Sequence, residues 1–278
     1  MQTVALIGYP LGHTLSPAMH NAAYKYLGLD FEYVTLEVTA EELRKAVDGL
    51  RALHFAGFNV TIPHKEAVVD LLDELTGQAK KIGAVNTVKN EEGKLIGYNT
   101  DASGFYESLR HDLNFDPKGK ITGVLGAGGA GKAVCAALLE NGAKSVWLTD
   151  IDREKGQVLA EYLNDLFEGE CKFVDDYSLQ GALDDSDLLV NATPIGMHPK
   201  INESPLPKGI KFHKKLAVYD VVYNPQETKF IKEAKAQGIT QAITGLGMLV
   251  RQGALAFSVF TGKPAPLEIM QEAARSAL

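Results

Sequence analysis

A glycine-rich loop between an apolar run and a helical pattern limits the fold of this chain more than any other feature. The run ITGVLG (121–126) has the character of a buried strand, and GAGGAGK (126–132) follows it and opens a helix. Gly126, Gly128 and Gly131 fit the pattern G-x-G-x-x-G, in which glycines permit a tight turn and a close approach to a pyrophosphate. The helix N-terminus adds unpaired N–H groups and a partial positive charge. The segment therefore predicts a dinucleotide site.

The residues around this loop indicate which nucleotide it binds. The loop nearly matches the mononucleotide pattern G-x-x-x-x-G-K-[ST], but Ala133 stands where that pattern needs a hydroxyl for magnesium. The next apolar run ends at Asp150, where a dinucleotide fold uses an acidic side chain to bind the adenosine ribose. A carboxylate there repels a 2′-phosphate and Ile151 brings no positive charge, so NAD is favoured while NADP stays open. The residues expected to face the cofactor are Gly126, Ala127, Gly128, Gly129, Ala130, Gly131 and Asp150.

Strand-like apolar runs alternate with helical patterns along all 278 residues. This alternation predicts an α/β fold with largely parallel sheets. The polar turn 116–119 marks a boundary, after which the second series has the rhythm of a doubly wound, Rossmann-like domain. In the first series we expect a helix near 65–75 and a hairpin around Glu92-Gly93. A last apolar helix covers 246–262 and needs cover on most sides.

Composition and charge exclude several classes of protein. The chain is 45% hydrophobic with a formal net charge of −7, and it lacks the basic stripe of a nucleic-acid binder. No apolar run approaches the roughly 20 residues needed to cross a bilayer, and the N-terminus lacks a signal-peptide pattern, so we expect a cytoplasmic protein. Two cysteines and seven scattered histidines give neither a disulfide framework nor metal-ligand spacing. We therefore expect no metal.

Three polar clusters in the first part of the chain could carry chemistry, and each lies where a strand gives way to a loop or helix. Ligands of open α/β sheets usually bind at such strand ends. Transfer of a hydride to a ketone builds negative charge on oxygen, so the site needs a proton donor or cation there, with short polar side chains to recognise a hydroxylated ring. The clusters are LGHTLSP (11–17), FNVTIPHK (58–65) and AVNT…GYNTD (84–101).

Three further motifs follow the glycine loop, namely NATPIGM (191–197), DVVYNP (220–225) and TGLGMLVRQGALAF (244–257). Together with the loop and the three clusters, they resemble the shikimate dehydrogenase family in order and spacing over nearly the whole chain. The resemblance implies reversible NAD(P)-dependent reduction of 3-dehydroshikimate to shikimate, a step of chorismate and aromatic amino acid biosynthesis. It also implies a cleft between two domains. The implied division is an α/β substrate domain over 1–103, a Rossmann-like NAD(P)-binding domain over 104–242, and C-terminal helices over 243–278 that return to the substrate domain.

The resemblance further implies roles for single residues. Lys65 and Asp101 are the implied catalytic pair, in which the lysine donates to the developing alkoxide while the carboxylate orients it. The implied substrate ligands are Thr14, Ser16, Thr61, Asn86, Tyr223 and Gln252, of which the first two hold the substrate carboxylate. The residues implied beside the nicotinamide are Asn191, Thr193, Val221 and Gly245.

Other interpretations remain open at this point. Lys65 could be a solvated lysine, Asp101 a helix cap and Ser16-Pro17 a helix start. The family often has serine where this chain has Thr14, which leaves an NAD-dependent quinate/shikimate dehydrogenase as an alternative. A non-catalytic dinucleotide-sensing regulator is an alternative of another class, and a methylene-tetrahydrofolate type dehydrogenase shares the architecture without explaining the polar clusters. We expect a small-molecule substrate, no nucleic-acid or membrane partner, and a monomer or homodimer.

Overall fold

The computed structural model describes residues 1–12 and 14–278, which fall into two units. Unit 1 comprises Met1–Gly104 and Val250–Leu278, and unit 2 comprises Phe105–Leu249. Within the described residues, no helix is long and apolar enough to cross a membrane.

The helices and strands follow one another in the alternation that the sequence predicts, which confirms the α/β class. In chain order they are β1 (Gln2–Gly8), α1 (Ser16–Tyr26), β2 (Phe31–Glu37), α2 (Leu43–Ala52), β3 (Gly57–Val60), β4 (Glu74–Leu75), α3 (Gly77–Ile82), β5 (Thr87–Glu91), β6 (Lys94–Tyr98), α4 (Asp101–His111), β7 (Ile121–Leu125), α5 (Gly129–Glu140), β8 (Ser145–Thr149), α6 (Arg153–Leu166), β9 (Glu170–Phe173), α7 (Leu179–Asp184), β10 (Leu188–Asn191), β11 (Ala217–Asp220), α8 (Lys229–Ala236), β12 (Ala242–Thr244), α9 (Leu246–Thr261) and α10 (Leu267–Ser276).

The sheet of unit 1 is mixed, in the order β2-β1-β3-β5-β6-β4. β1 pairs in parallel with β2 and β3, whereas β5 is antiparallel to both β3 and β6. Glu92 and Gly93 have φ of 53° and 93° and join β5 to β6. A two-residue turn with positive φ at both positions matches the twist of antiparallel strands. The predicted hairpin is confirmed.

Helices cover this sheet with apolar faces spaced by one helical turn. In α2, the buried residues Leu43, Val47 and Leu50 recur at the intervals that place side chains on one face. α1 has Pro17 in its first turn, where proline needs no backbone hydrogen bond, and it packs against α10. These contacts bring the C-terminal helix onto the N-terminal part of unit 1.

The segment 65–75 is not the helix that the sequence predicts. It contains one 3₁₀ turn, Val69–Leu71, and the short strand β4. The Asp73 N–H donates to the Leu95 carbonyl at 3.0 Å, and the Asp73 carboxylate accepts from the Leu95 N–H at 2.7 Å. A helix through Asp73 would forfeit both bonds to the hairpin, so tertiary pairing overrides the local pattern here.

Unit 2 has a sheet of parallel strands in the order β12-β11-β10-β7-β8-β9. Read from β9 and numbered within the unit, this order is 3-2-1-4-5-6, the doubly wound arrangement of dinucleotide-binding folds. The predicted Rossmann-like topology is confirmed.

Trp147 is the largest fully buried side chain of unit 2 and lies on β8, next to β7. A Cβ on Gly123 of β7 would stand 2.1 Å from its ring, so only glycine leaves room for the indole. The indole N–H donates to Ser186 Oγ at 2.8 Å, which satisfies its polar atom inside the core.

The unit boundaries fall inside two helices. They lie between Gly104 and Phe105 in α4, and between Leu249 and Val250 in α9. The α9 helix therefore starts in unit 2 and ends in unit 1. The assignment of 1–103 to substrate, 104–242 to cofactor and 243–278 to returning helices stays a prediction.

Candidate active site

Lys65 and Asp101 form a close ion pair in unit 1. Lys65 Nζ lies 2.6 Å from Asp101 Oδ2, and the exposed fractions of the two side chains are 15% and 5%. A charge-assisted bond in such a sheltered place is screened less than one on the surface. The structure thus brings together two predicted residues that are 36 positions apart.

Lys65 lies in a turn after β3 that several hydrogen bonds hold in place. The Val85 N–H donates to the Lys65 carbonyl at 2.8 Å. The buried His64 has Nε2 at 2.7 Å from the Val38 carbonyl oxygen, which can only accept, so Nε2 carries the hydrogen. His64 therefore anchors the turn that carries the lysine.

Asp101 is the first residue of α4. The Asn99 side-chain oxygen accepts from the N–H groups of Asp101 and Ala102 at 3.1 and 3.3 Å. Asn99 thus satisfies two donors that the helix leaves unpaired. Because Asn99 performs the capping, the Asp101 carboxylate is available to Lys65, and the interpretation of Asp101 as a cap is wrong.

Asn86 and Gln252 adjoin this pair. Asn86 Nδ2 donates to Asp101 Oδ1 at 2.8 Å and lies 3.2 Å from Gln252 Oε1. Gln252 is on α9, and a Cβ on Gly104 would stand 2.7 Å from its backbone nitrogen. Glycine at 104 therefore lets α9 approach α4 closely enough for Gln252 to reach Asn86.

Thr14 and Ser16 lie at the start of α1. Thr14 Oγ1 is 3.3 Å from both the hydroxyl and the backbone nitrogen of Ser16. Thr61 follows β3, and its methyl group occupies the space that a side chain at Gly8 would take. An open cavity of about 320 Å³ adjoins Thr14, and its lining residues are Leu11, Gly12, Thr14, Pro17, Thr35 and Glu37.

The glycine loop of unit 2 has the geometry that a pyrophosphate site requires. Gly126 has φ of 104°, in the region that favours glycine, and a Cβ on Gly131 would stand 1.9 Å from the Gly126 carbonyl oxygen. At Gly128 a Cβ would meet no described atom within 4 Å, and α5 begins at Gly129. The open backbone and the helix N-terminus fit the pyrophosphate of a dinucleotide.

Asp150 has a structural role that its place at a strand end did not reveal. Its Oδ2 accepts from the Ala127 N–H at 2.7 Å, and its Oδ1 accepts from the Asp152 N–H at 2.9 Å. The carboxylate therefore holds the glycine loop and the start of α6. Each oxygen keeps a second lone pair for a ribose hydroxyl. The neighbouring Ile151 is fully exposed, and the Arg153 guanidinium lies over the Phe173 ring at 5.9 Å.

The residues predicted beside the nicotinamide lie at the end of β10 or shortly after β10, β11 and β12. Asn191 Oδ1 accepts from both the N–H and the hydroxyl of Thr193, at 3.0 and 2.6 Å. A Cβ on Gly245 would stand 2.1 Å from the Val221 carbonyl oxygen, so glycine permits the close approach of the two segments. Tyr223 is half-buried in unit 2, and its role as a substrate ligand stays a prediction.

Asp220 is a further buried residue of this region, to which the sequence pattern assigned no role. Its carboxylate accepts from Asn191 Nδ2 at 2.8 Å, from the Thr228 hydroxyl at 2.6 Å and from the Val222 N–H at 3.0 Å. Burial raises the pKa of Asp220 to about 6, against the lowering effect of these donors. Its position in DVVYNP, directly at the end of an apolar strand, was the available signal.

We expect Asp220→Asn to change how stability depends on pH. Because the folded-state pKa of about 6 exceeds the ordinary 3.8, the folded protein takes up this proton before the unfolded chain does, and the group's contribution grows as pH falls. From pH 7 to pH 5, the wild type should gain about 1 kcal/mol in unfolding free energy relative to the variant. Urea denaturation followed by circular dichroism measures this, and a difference that is constant with pH would contradict it.

Both ends of the chain match family models. Residues 6–88 match the shikimate dehydrogenase substrate binding domain, and residues 245–275 match the shikimate 5′-dehydrogenase C-terminal domain. Shikimate dehydrogenase (NADP(+)) of Methanopyrus kandleri is 47% identical over 272 residues, which cover 97% of this chain and 93% of that protein. The chain belongs to the shikimate dehydrogenase family. The resemblance in the motifs is thereby confirmed.

Solved structures of shikimate dehydrogenases resemble the whole chain. The enzyme of Thermus thermophilus, in complex with NADP(H) and shikimate, is 41% identical with a TM-score of 0.88 and covers 100% of both chains. The shikimate 5-dehydrogenase of Listeria monocytogenes, in complex with shikimate and NAD, is 35% identical with a TM-score of 0.88 and covers 98% of this chain and 96% of its own. The relatives of this shikimate dehydrogenase family member thus include complexes with either dinucleotide.

Proposed function

We propose that this chain is a shikimate dehydrogenase, which reduces 3-dehydroshikimate to shikimate reversibly with a nicotinamide dinucleotide. The observation that carries this proposal is the sheltered contact of 2.6 Å between Lys65 Nζ and Asp101 Oδ2, in a chain of this family. A non-catalytic regulator does not require a proton donor with a carboxylate that orients it. A quinate-specific enzyme is not needed to account for any feature of the site.

Of the catalytic pair, Lys65 exchanges the proton of the reaction with the substrate and Asp101 orients it. A bound nicotinamide dinucleotide supplies the hydride in reduction and accepts it in oxidation. In reduction, the Lys65 ammonium donates a proton to the carbonyl oxygen as negative charge develops there. In oxidation, the neutral Lys65 amine takes the proton of the substrate hydroxyl. Asp101 orients the lysine throughout and remains a hydrogen-bond acceptor.

The remaining polar side chains recognise the hydroxylated ring. Thr14 and Ser16 are proposed to bind the substrate carboxylate, since their hydroxyls adjoin the N-terminus of α1, whose partial positive charge favours an anion. The proposed ligands of the ring hydroxyls are Thr61, Asn86, Tyr223 and Gln252.

NAD is the proposed cofactor, with NADP as the second possibility because curated relatives such as that of Methanopyrus kandleri are NADP(+) enzymes. The Asp150 carboxylate, held in place by the Ala127 N–H, supports NAD because it would repel a 2′-phosphate. The exposed Ile151 offers that phosphate no positive charge.

Oxidation of shikimate and of quinate, each with NAD⁺ and with NADP⁺, tests this function. We expect the reduced nicotinamide to form fastest with shikimate and NAD⁺, as measured by its absorbance. Cofactor binding without absorbance change for either acid would reject the enzyme and favour a sensor. A higher kcat/KM for quinate than for shikimate would instead assign the chain as a quinate/shikimate dehydrogenase. A higher kcat/KM with NADP⁺ than with NAD⁺ would reject only the cofactor preference.

A further inference from the structure

A series of buried polar side chains in unit 1 leads to Asp101, and every member before the last one, the proposed substrate ligand Asn86, has no part in the mechanism above. It starts at Tyr33 on β2, continues through Asn59 on β3 and Thr87 on β5, and ends at Asn86. Tyr33, Asn59 and Thr87 are 2%, 7% and 0% exposed. Burial of a polar group costs free energy unless the group is hydrogen-bonded. Each member of the series therefore needs a partner inside the fold.

Each member of the series donates to the next. The Tyr33 hydroxyl donates to Asn59 Oδ1 at 2.8 Å, and Asn59 Nδ2 donates to Thr87 Oγ1 at 2.9 Å. Thr87 Oγ1 donates to Asn86 Oδ1 at 3.1 Å, and Asn86 Nδ2 donates to Asp101 Oδ1 at 2.8 Å. The donors therefore all point from the interior of the sheet toward the catalytic pair.

A backbone carbonyl fixes the direction at Asn59. Asn59 Nδ2 also lies 3.0 Å from the Asn86 carbonyl oxygen, which can only accept. If the Asn59 amide were turned over, its oxygen would face that carbonyl and both groups would lose a bond. Nδ2 must therefore face Thr87, and the Thr87 hydroxyl, which accepts from it, has its own hydrogen free to donate onward.

A backbone N–H fixes the direction at Asn86. The Thr100 N–H lies 2.8 Å from Asn86 Oδ1 and can only donate, so the oxygen must stand there. The Thr87 hydroxyl supplies a second donor to the same oxygen. The amide nitrogen is thereby turned toward Asp101, which receives one donor on each carboxylate oxygen: Asn86 Nδ2 on Oδ1 and Lys65 Nζ on Oδ2.

We propose that Asn59 and Thr87 are positioning residues of the proposed dehydrogenase reaction, with Tyr33 as the outer member of the series. They act through Asn86, whose amide they hold together with the Thr100 N–H in the one orientation that donates to Asp101, and Asp101 in turn aligns the Lys65 amine. This inference rests on the proposed function, because the aligned pair matters only if Lys65 moves a proton.

Thr87→Val tests the centre of the series, since valine keeps the shape of threonine and removes the hydroxyl. We expect the single-turnover rate of shikimate oxidation to fall about tenfold, because Asn86 Oδ1 loses a donor and Asn59 Nδ2 loses an acceptor. The dissociation constant of the cofactor should not change. Thr87→Ser restores the hydroxyl and should restore the rate to within about twofold. Thr122→Val is the matched control, since Thr122 is equally buried in a strand and its hydroxyl has no partner among the described residues.

Tyr33→Phe tests the outer end with a variant that removes a single oxygen atom. We expect the same rate to fall about threefold, a smaller effect because three hydrogen bonds separate Tyr33 from Asn86 Nδ2. Tyr24→Phe is its matched control. Tyr24 is also buried, its ring also lies near His20, and its hydroxyl is without a partner within the part of the chain described. This control should keep the wild-type rate.

Comparison of these variants with the wild type and with their controls shows whether the positioning role or the proposed function itself is wrong. A wild type that does not oxidise shikimate rejects the function itself. If the wild type is active but the Thr87→Val and Tyr33→Phe variants have the single-turnover rates of their controls, only the proposed positioning role of the series is overturned. The positioning role is also overturned if Thr87→Ser is as slow as Thr87→Val, since the rate would then not depend on the hydroxyl of residue 87. If Thr87→Val does not fold, the Tyr33→Phe and Tyr24→Phe pair decides.

Discussion

Lys65→Ala should lower the turnover of shikimate by about a hundredfold or more while the dissociation constant of the cofactor stays the same. The variant removes the group that exchanges a proton with the substrate oxygen, and general acid–base catalysis typically contributes about 10²- to 10⁴-fold. It also leaves the nearly buried Asp101 carboxylate without its ion-pair partner. Steady-state rates with saturating shikimate, together with equilibrium titration of the cofactor, measure the two quantities.

Lys89→Ala is the matched control for this prediction. Lys89 is a lysine of the same unit on β5, and its amine forms an ion pair with Glu91 at 2.9 Å. An ion pair as exposed as this one contributes little, so removal of this charge should leave turnover unchanged. Near-wild-type turnover of Lys65→Ala would reject the lysine as the proton donor, whatever the control shows.

Ile151→Arg should raise the ratio of kcat/KM with NADP⁺ to kcat/KM with NAD⁺ by about ten- to a hundredfold. The exposed side chain directly follows Asp150, the residue proposed to face the adenosine ribose. An arginine there can form charge-assisted hydrogen bonds with a 2′-phosphate, and these are worth about 1.5–3 kcal/mol. Initial rates at fixed shikimate and varied concentrations of each dinucleotide measure the ratio.

Leu166→Arg distinguishes a local contact from a general effect of charge. Leu166 is an exposed residue at the far end of α6, about 20 Å along the helix from its start. The same charge at that distance is screened and cannot reach the phosphate, so the ratio should not change. An equal gain from both variants would mean that surface charge acts at long range, and no change in either would reject position 151 as a determinant.

The architecture of unit 2 could be predicted because its signals are local. The glycines at 126, 128 and 131 lie within one loop, and the flanking apolar runs have the length of buried strands. The role of Asp150 toward Ala127 could not be predicted, since it depends on the conformation of that loop. The helix expected over 65–75 failed for a related reason, because the bonds of Asp73 to the hairpin outweigh the local helical preference.

The candidate site of unit 1 was only partly predictable from residues alone. Lys65 and Asp101 were paired by family resemblance, since no periodicity links positions so far apart in the sequence. The contact between Asn59 and Thr87 requires the antiparallel register of β3 and β5, which joins residues 28 positions apart. A pattern of apolar and polar residues does not specify which strands become neighbours, so this series was invisible before the fold was known.

The setting of Trp147 makes unfolding of unit 2 optically distinguishable from that of unit 1. It is the single tryptophan of the chain, and its indole on β8 is buried against Gly123 of β7 and donates to Ser186. Its fluorescence should therefore shift to the red only when the nucleotide-type sheet opens. Circular dichroism responds to helices of both units, so a lag between the two signals during denaturation would reveal that the units melt as separate cooperative blocks.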